Sequence, residues 1–152
     1  MKLAGKTAII TGGGGGIGRA VSLRYAQEGA RCVVADVQLS LAEAVVKEIK
    51  SAGGSALAIS MDVTKQADID QTIQAAVNAF GQVDILFNNA AIFEMAPLLE
   101  SSRESYERLF DINVKGMFFM MQAVAAHMVE KGIQGKIVNL SSQAGRRGEA
   151  LV

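Results

Sequence analysis

The sequence predicts an α/β protein whose parallel β-sheet carries helices on both faces. Short apolar runs alternate with longer stretches of helical periodicity, an order typical of β-α-β units. Two of the short runs, residues 32–35 and 85–87, are apolar at every position, as expected when both sheet faces are covered. A third observation is the run of five glycines, 12–16, that directly follows the first short run.

The individual elements follow from this alternation. Predicted strands span residues 7–11, 31–35, 55–60, 83–88 and 136–140, and predicted helices span residues 17–28, 41–51, 66–80 and 103–129. Two helix starts carry capping boxes, in which a serine and the glutamate three residues later bind free backbone N–H groups. These boxes pair Ser40 with Glu43 and Ser101 with Glu104.

Length and composition limit the class of protein. The 152 residues, half of them hydrophobic, predict one globular domain over residues 1–152. Lys+Arg and Asp+Glu number 15 each with no basic block, so we expect neither a nucleic acid nor a membrane as partner. Cys32 is the single cysteine, which excludes an intrachain disulfide and indicates a buried small residue in a cytoplasmic protein. No metal site is predicted.

The glycine run is the strongest local signal for a ligand. A strand, a glycine turn and a helix start can bind a phosphate-bearing nucleotide, because backbone N–H groups approach the pyrophosphate and the helix dipole favours its charge. The spacing Gly13-x-Gly15-x-x-Gly18 fits the general dinucleotide pattern. A flexible linker is the alternative, although linkers are uncommon between a buried strand and a helix.

Asp36 predicts which dinucleotide is bound. It ends the second strand, 18 residues after Gly18, where a carboxylate accepts hydrogen bonds from ribose hydroxyls and repels a 2′-phosphate. Neither Gly15 nor Val37 supplies a cation for that phosphate. We therefore expect NAD rather than NADP, with a turn aspartate that caps the next helix as the alternative.

Further polar residues follow the other strands, at the edge where open α/β sheets bind ligands. Asp62-Val63 follows the third strand, Asn88-Asn89-Ala90-Ala91 the fourth and Ser141-Ser142 the fifth. Asn113 lies inside the long apolar helix, where its amide is costly unless it is hydrogen-bonded. Each of these residues is ordinary alone, but together, in this order and at these element ends, they form a distinctive set, or constellation, of residues.

That constellation resembles the short-chain dehydrogenase/reductase family along the whole chain. The matching motifs are Thr11-Gly12-x-x-x-Gly16-Ile17-Gly18, Asp62-Val63, Asn88-Asn89-Ala90, Asn113-Val114 and Ile137-Val138-Asn139-Leu140-Ser141-Ser142. The resemblance implies a Rossmann-type doubly wound sheet, with five strands in this chain, and an oxidoreductase that transfers hydride between NAD(H) and an alcohol.

The resemblance also implies roles for individual residues. Gly12, Gly16, Ile17 and Gly18 would line the pyrophosphate, with Gly14 and Gly15 of the same turn also assigned to the cofactor. Asp36 would hold the ribose, Asp62 and Val63 would flank the adenine, and Asn89, Ala90 and Ala91 would border the middle of the cofactor. Ala91 stands where the family usually has glycine, so its methyl group would crowd the cofactor slightly. Asn113 and Ser142 fall on two of the four catalytic positions, Ser142 to position the substrate oxygen and Asn113 to order a water.

The other two catalytic positions form a Tyr-x-x-x-Lys about a dozen residues beyond Ser142, and the sequence ends at Val152. Neither Tyr25 nor Tyr106 begins such a motif. We therefore expect an N-terminal portion of a dehydrogenase, inactive alone, with the C-terminal strands and the catalytic helix outside it. A non-catalytic dinucleotide-binding module and a methyltransferase that uses S-adenosylmethionine are the alternatives.

Two further expectations concern substrate and assembly. Within the family, residues 88–97 and 142–152 resemble bacterial polyol dehydrogenases such as sorbitol dehydrogenases, which implies a sugar alcohol bound by Gln143 and Glu149. Polar loop residues in water are the alternative. The last helix is apolar nearly all round, so it needs a second packing partner besides the sheet, and we expect a homo-oligomer.

Overall fold

The computed structural model describes residues 1–145 and 147, and within them one parallel sheet of five strands forms the centre. The strands are β1 (Thr7–Thr11), β2 (Arg31–Asp36), β3 (Ser55–Ser60), β4 (Ile85–Asn88) and β5 (Lys136–Asn139), in the order β3-β2-β1-β4-β5. The main helices are α1 (Gly16–Gln27), α2 (Leu39–Ser51), α3 (Gln66–Phe80), α4 (Arg103–Phe110) and α5 (Met117–Glu130). The predicted fold class is confirmed.

The sheet separates two apolar cores. Along β1, Ile9 belongs to the core that includes residues of α3 and α5, whereas Ala8 and Ile10 belong to the core that includes α2. Val33 and Val34 of β2 divide in the same way, because successive side chains of a strand point to opposite faces. Both faces are therefore covered, which explains the continuously apolar strands.

The strand order indicates where a ligand site would lie. The chain moves outward from β1 to β2 and β3, and then returns to add β4 and β5 on the other side of β1. The order thus reverses between β1 and β4, and a crevice opens outside the carboxyl ends of strands at such a switch point. Thr11 ends β1 and Asn88 ends β4, so both border this crevice.

The predicted single helix over residues 103–129 was wrong in one respect. A π-helical segment, Asp111–Gly116, separates α4 from α5. Gly116 packs closely there, since an added Cβ would lie 2.7 Å from Val63 Cγ2. Widened turns of this kind occur often at functional sites, and this one contains Asn113.

Both predicted capping boxes were also wrong. Helix α2 begins at Leu39 after Gln38, so Ser40 lies inside its first turn. At α4 the cap is Ser102, whose hydroxyl accepts the backbone N–H of Ser105 at 3.0 Å. Ser101 instead donates its hydroxyl to Pro97 O at 3.4 Å, which closes the short 3-10 turn before α4.

Cys32 lies buried in β2 as predicted. Burial raises the pKa of its thiol to about 12, so the thiol stays protonated and unreactive at neutral pH. Across residues 1–145 and 147, none of the helices combines the length and the apolar content required to cross a membrane.

Candidate functional site

A cleft of about 600 Å³ lies at the carboxyl edge of the sheet. The residues that line it come from the ends of β1 to β4, from α2 and from the helix that follows β4; they include Gly12, Gly15, Gly16, Ile17, Asp36, Asp62, Val63, Asn89, Ala90 and Ala91. A second cavity of about 290 Å³ over the ends of β4 and β5 contains Asn113 and Ser142. The two share five lining residues, Val63, Asn89, Ala90, Ala91 and Ile92, so they adjoin along this wall, and the two together are termed the groove.

The glycine turn presents bare backbone to the groove. Gly12 and Gly16 have φ angles of +59° and +48°, in the left-handed region that favours glycine. An added Cβ at Gly15 or Gly16 would meet no atom of the described structure within 4 Å, so this side of the turn faces open space. The N-terminus of α1 begins at Gly16, which directs its dipole toward the same space. The turn therefore has the geometry and the potential to hold an anionic group.

Gly14 and Gly18 are predicted cofactor residues that the structure places outside the lining of the groove. An added Cβ at Gly18 would overlap Gly12 O and lie 2.7 Å from Asn89 Nδ2. At Gly14 it would lie 2.7 Å from Leu41 Cβ. These two glycines allow the turn to pack against its neighbours rather than leave space for a ligand.

Asp36 is fixed at the rim of the cleft by two backbone groups. The N–H of Gly14 donates to Oδ2 and the N–H of Gln38 donates to Oδ1, both at 3.0 Å. Each carboxylate oxygen has a further lone pair with which to accept a ligand hydroxyl. The carboxylate is thus oriented by the same glycine turn that borders the open space beside Gly15 and Gly16.

Asp62 lines the same cleft just after β3, the strand that pairs with the one ending at Asp36, and it is held ionised. The hydroxyl of Thr64 donates to Asp62 Oδ1 at 2.7 Å, and the Thr64 N–H donates to the same oxygen at 3.0 Å. The Thr64 hydroxyl, with its backbone N–H and Lys65, lowers the pKa of Asp62 despite partial burial. Val63, the next residue, is buried and offers an apolar wall.

Thr11 joins the two sides of the switch point, a role that the sequence analysis did not assign. Its hydroxyl oxygen accepts the N–H groups of Asn89 and Ala90, each at 3.0 Å. In return Asn89 Nδ2 donates to Thr11 O at 3.1 Å and to Gly12 O at 3.0 Å. The only feature of the sequence that could have indicated this role is a small hydroxyl residue directly before a glycine turn.

The second cavity contains the two predicted catalytic residues. Asn113 exchanges two hydrogen bonds of 2.9 Å with the backbone of Ile92, which satisfies its half-buried amide. Ser142 accepts the N–H of Ala144 at 3.2 Å, so its hydroxyl proton remains available to a ligand oxygen. Gln143 does not line the cavity, and Glu149 lies outside the described residues.

Sequence reasoning also missed residues from the segment after β4 and from the helix that follows. Ile92, Arg108 and Ile112 line the larger cleft. Arg108 and Ile112 are four positions apart on adjoining helical turns, so they share one face. That spacing alone does not indicate that this face meets a ligand. Among the described residues, no group of three or more His, Cys, Asp or Glu could hold a metal ion.

Comparisons with known proteins agree with this geometry. The family profile described as short chain dehydrogenase matches residues 6–152. Sorbitol dehydrogenase of Cereibacter sphaeroides is 55% identical over all 152 residues, and galactitol 2-dehydrogenase of Agrobacterium fabrum is 49% identical over the same span. The chain spans 58% of the length of each of these relatives.

Solved structures show the same fold. A short-chain type dehydrogenase/reductase from Mycobacterium marinum superposes with a TM-score of 0.95 at 36% identity, over 98% of this chain and 59% of that one. A 7α-hydroxysteroid dehydrogenase, solved with NADH and 7-oxo glycochenodeoxycholic acid, gives 0.93 at 35% identity, over 99% of this chain and 58% of its own.

Proposed function

The chain belongs to the short-chain dehydrogenase/reductase family, and we propose that it forms the NAD-binding part of an oxidoreductase acting on an alcohol. The observation that carries this proposal is the pair of adjoining cavities: Asp36 and the glycine turn line the first, and Ser142 lines the second. A dinucleotide needs a ribose acceptor, an anion site and a place for chemistry in that order. Residues 1–152 would together constitute the nucleotide-binding domain.

The residues present fit a dinucleotide. The space beside Gly15 and Gly16 is open enough for a diphosphate to approach the backbone, and the start of α1 favours its charge. Asp36 is oriented to accept hydrogen bonds from ribose hydroxyls. Asn89, Ala90 and Ala91 line both cavities, which suits contacts with the middle of an extended ligand.

The same geometry favours NAD over NADP. A 2′-phosphate on the adenosine ribose would stand next to the Asp36 carboxylate, and like charges at that distance repel. Val37 and Gln38, which follow Asp36 along the rim, carry no positive charge to compensate. NAD, which has a hydroxyl at this position, meets no such repulsion.

In the proposed reaction, this chain binds and orients the alcohol. A bound nicotinamide would supply the hydride acceptor. The Ser142 hydroxyl would donate to the substrate oxygen, while Asn113 would hold Ile92 and the segment after β4 in place and use its remaining N–H or lone pair to order a water. The 152 residues contain no Tyr-x-x-x-Lys to move the hydroxyl proton, so we propose that this chain alone is inactive.

The proposed substrate is a polyol such as sorbitol or galactitol. Support comes from the two relatives named for these sugar alcohols. The cavity at Ser142 combines amides and hydroxyls with the apolar side chains of Phe93, Met117 and Leu140. Such a lining accepts both the hydroxyls and the carbon chain of a polyol.

We further propose a homo-oligomer in the cytoplasm. Helices α4 and α5 and the π-helical segment leave large apolar side chains exposed, namely Phe110, Val114, Phe118 and Phe119. Exposed apolar side chains of this size favour association with another subunit. A single, buried and unreactive cysteine suits a reducing compartment.

A second candidate is a dinucleotide-binding module without catalysis, because the cleft beside Asp36 and the glycine turn can hold a dinucleotide whether or not a reaction follows. The methyltransferase alternative has no support from the family match. Intact mass of the protein from its native source separates enzyme from module. A species that continues into Tyr-x-x-x-Lys is expected, and one that ends at Val152 contradicts the enzyme.

Binding titrations of the 152-residue chain test the cofactor. We expect NADH to bind more tightly than NADPH, and Asp36→Ala to narrow that preference on the order of tenfold, equivalent to about 1.4 kcal/mol. Asp70→Ala, an exposed position on α3, is the matched control and should change nothing. Equal or tighter binding of NADPH to the unaltered chain would contradict the assignment to NAD.

A further inference from the structure

Arg108 brings a positive charge to the larger cleft, and it is not among the residues assigned to the diphosphate, the ribose or the catalytic positions. Among the described residues that line the larger cleft, it is the only one with a positively charged side chain. It does not line the smaller cavity with Asn113 and Ser142. It therefore lines the cleft that also contains Asp36 and Asp62, and not the cavity that contains Ser142.

The guanidinium group of Arg108 is held along one edge. Its Nη1 lies 3.1 Å from Oε1 of Glu94, in the segment that joins β4 to α4. The other carboxylate oxygen of Glu94 accepts the hydroxyl of Ser105, which stands three residues before Arg108 on the same face of α4. A glutamate anchored at both oxygens thus fixes the position of the arginine, although 64% of the arginine side chain is exposed.

This arrangement selects what Arg108 can offer a ligand. The Glu94 carboxylate offsets part of the positive charge, which weakens the attraction of Arg108 for a phosphate. The ion pair with Glu94 uses Nη1 at the edge of the guanidinium and not its flat face, and such a face stacks on aromatic rings. The neutral aromatic group of a dinucleotide at the Asp36 end of the groove is its adenine.

The surroundings of Arg108 suit a flat, apolar ring. Ile112, one turn further along, lines the same cleft, as do Val63 and Ile92 from the ends of other elements. We propose that Arg108 is a further cofactor-binding residue that stacks on the adenine, and that Glu94 positions it. This proposal rests on the proposed NAD site.

Binding to parts of the cofactor tests this proposal. The probes are NADH, ADP-ribose and nicotinamide mononucleotide, titrated against the 152-residue chain. Arg108→Met should weaken NADH and ADP-ribose by about two- to fivefold and leave nicotinamide mononucleotide unchanged. Arg108→Lys should reduce the affinity for NADH and ADP-ribose nearly as much, because lysine keeps the charge but lacks the planar face. Glu94→Gln should cause a smaller loss of affinity for NADH and ADP-ribose. In the double variant with Arg108→Lys it should cause no further loss of affinity.

Arg103→Lys is the matched control, since Arg103 lies on the same helix, is exposed and does not line the cleft. Circular dichroism establishes that each variant is folded. The proposal is overturned if Arg108→Lys binds ADP-ribose as tightly as the unaltered chain, or if affinity for nicotinamide mononucleotide falls equally. An unaltered chain that binds neither NADH nor ADP-ribose overturns the proposed function itself, a result distinct from NADH binding that is insensitive to Arg108.

Discussion

Asn113 and Ile92 exchange two hydrogen bonds across 21 residues of sequence. The N–H of Ile92 donates to Asn113 Oδ1, and Asn113 Nδ2 donates to Ile92 O, both at 2.9 Å. This pair ties the segment after β4 to the π-helical segment, and it fixes the wall shared by the two cavities. The assignment of Asn113 to a water stays a prediction, with one N–H and one carbonyl lone pair left for that purpose.

Replacing Asn113 by aspartate should loosen this wall. The change keeps the shape of the side chain but turns its donor into an acceptor that faces Ile92 O. We expect a loss of about 1–3 kcal/mol in the free energy of unfolding, measured by urea denaturation. Asn78→Asp on exposed α3 is the control, because Asn78 accepts a hydrogen bond from Gln74 and an aspartate still can. Equal stability of the two variants would show that the hydrogen bonds between Asn113 and Ile92 contribute little to the free energy of unfolding.

Gly15, in the glycine turn, and Gly18, in the first turn of α1, should respond differently to replacement by alanine. Gly18→Ala places a methyl group against Gly12 O and Asn89 Nδ2, so we expect at least about 1–3 kcal/mol of destabilisation. Gly15→Ala should leave stability nearly unchanged, since Gly15 has an extended backbone and open space around it. If a diphosphate occupies that space, however, Gly15→Ala weakens NADH binding. Thermal unfolding and NADH titration measure the two effects, and a Gly15→Ala variant with full NADH affinity would place the diphosphate elsewhere.

Because of Asp84, we expect the free energy of unfolding to decrease as the pH falls into the acid range. Burial raises the pKa of this carboxyl, but hydrogen bonds from the Thr7 N–H, Lys6 and Gln82, at 2.8–3.0 Å, outweigh burial and lower it. Because the folded pKa lies below the unfolded value of about 3.9, the stabilisation is present above pH 4 and is lost as the pH falls through the folded pKa.

Denaturant titrations between pH 2 and 7 test this dependence. Asp84→Asn should cost about 1–3 kcal/mol at pH 7 and flatten the loss of stability in acid. Asp70→Asn, at an exposed site that contacts Gln66, should do neither. Parallel curves for the unaltered chain and Asp84→Asn would rule out Asp84 as a source of the dependence.

Association should depend on the exposed aromatic residues of α5. Phe119→Glu puts a charge into the apolar surface beside Phe118, so we expect it to shift the solution mass toward about 16 kDa. Gln74→Glu adds the same charge on α3 and should leave the mass unchanged. Light scattering at high micromolar concentration gives the mass, and a monomeric unaltered chain would refute association through this surface.

Much of this protein could be predicted from the sequence, for a physical reason. Strand and helix periodicities, the glycine run and polar residues at strand ends are local patterns, and parallel strands bring their carboxyl ends to one edge. This was enough to predict the five-stranded fold and to place Asp36, Asp62 and Asn89 beside one cleft.

Only the tertiary structure decided how those residues are used. Gly14 and Gly18 look the same as Gly15 and Gly16 in sequence, yet the first two pack against neighbours and the second two face open space. The π-helical segment, the Asn113 pair with Ile92 and the Arg108 pair with Glu94 each depend on atoms brought together from separate elements. No local pattern encodes such contacts, because they form only when β4, α4 and the segment between them take their places on the sheet.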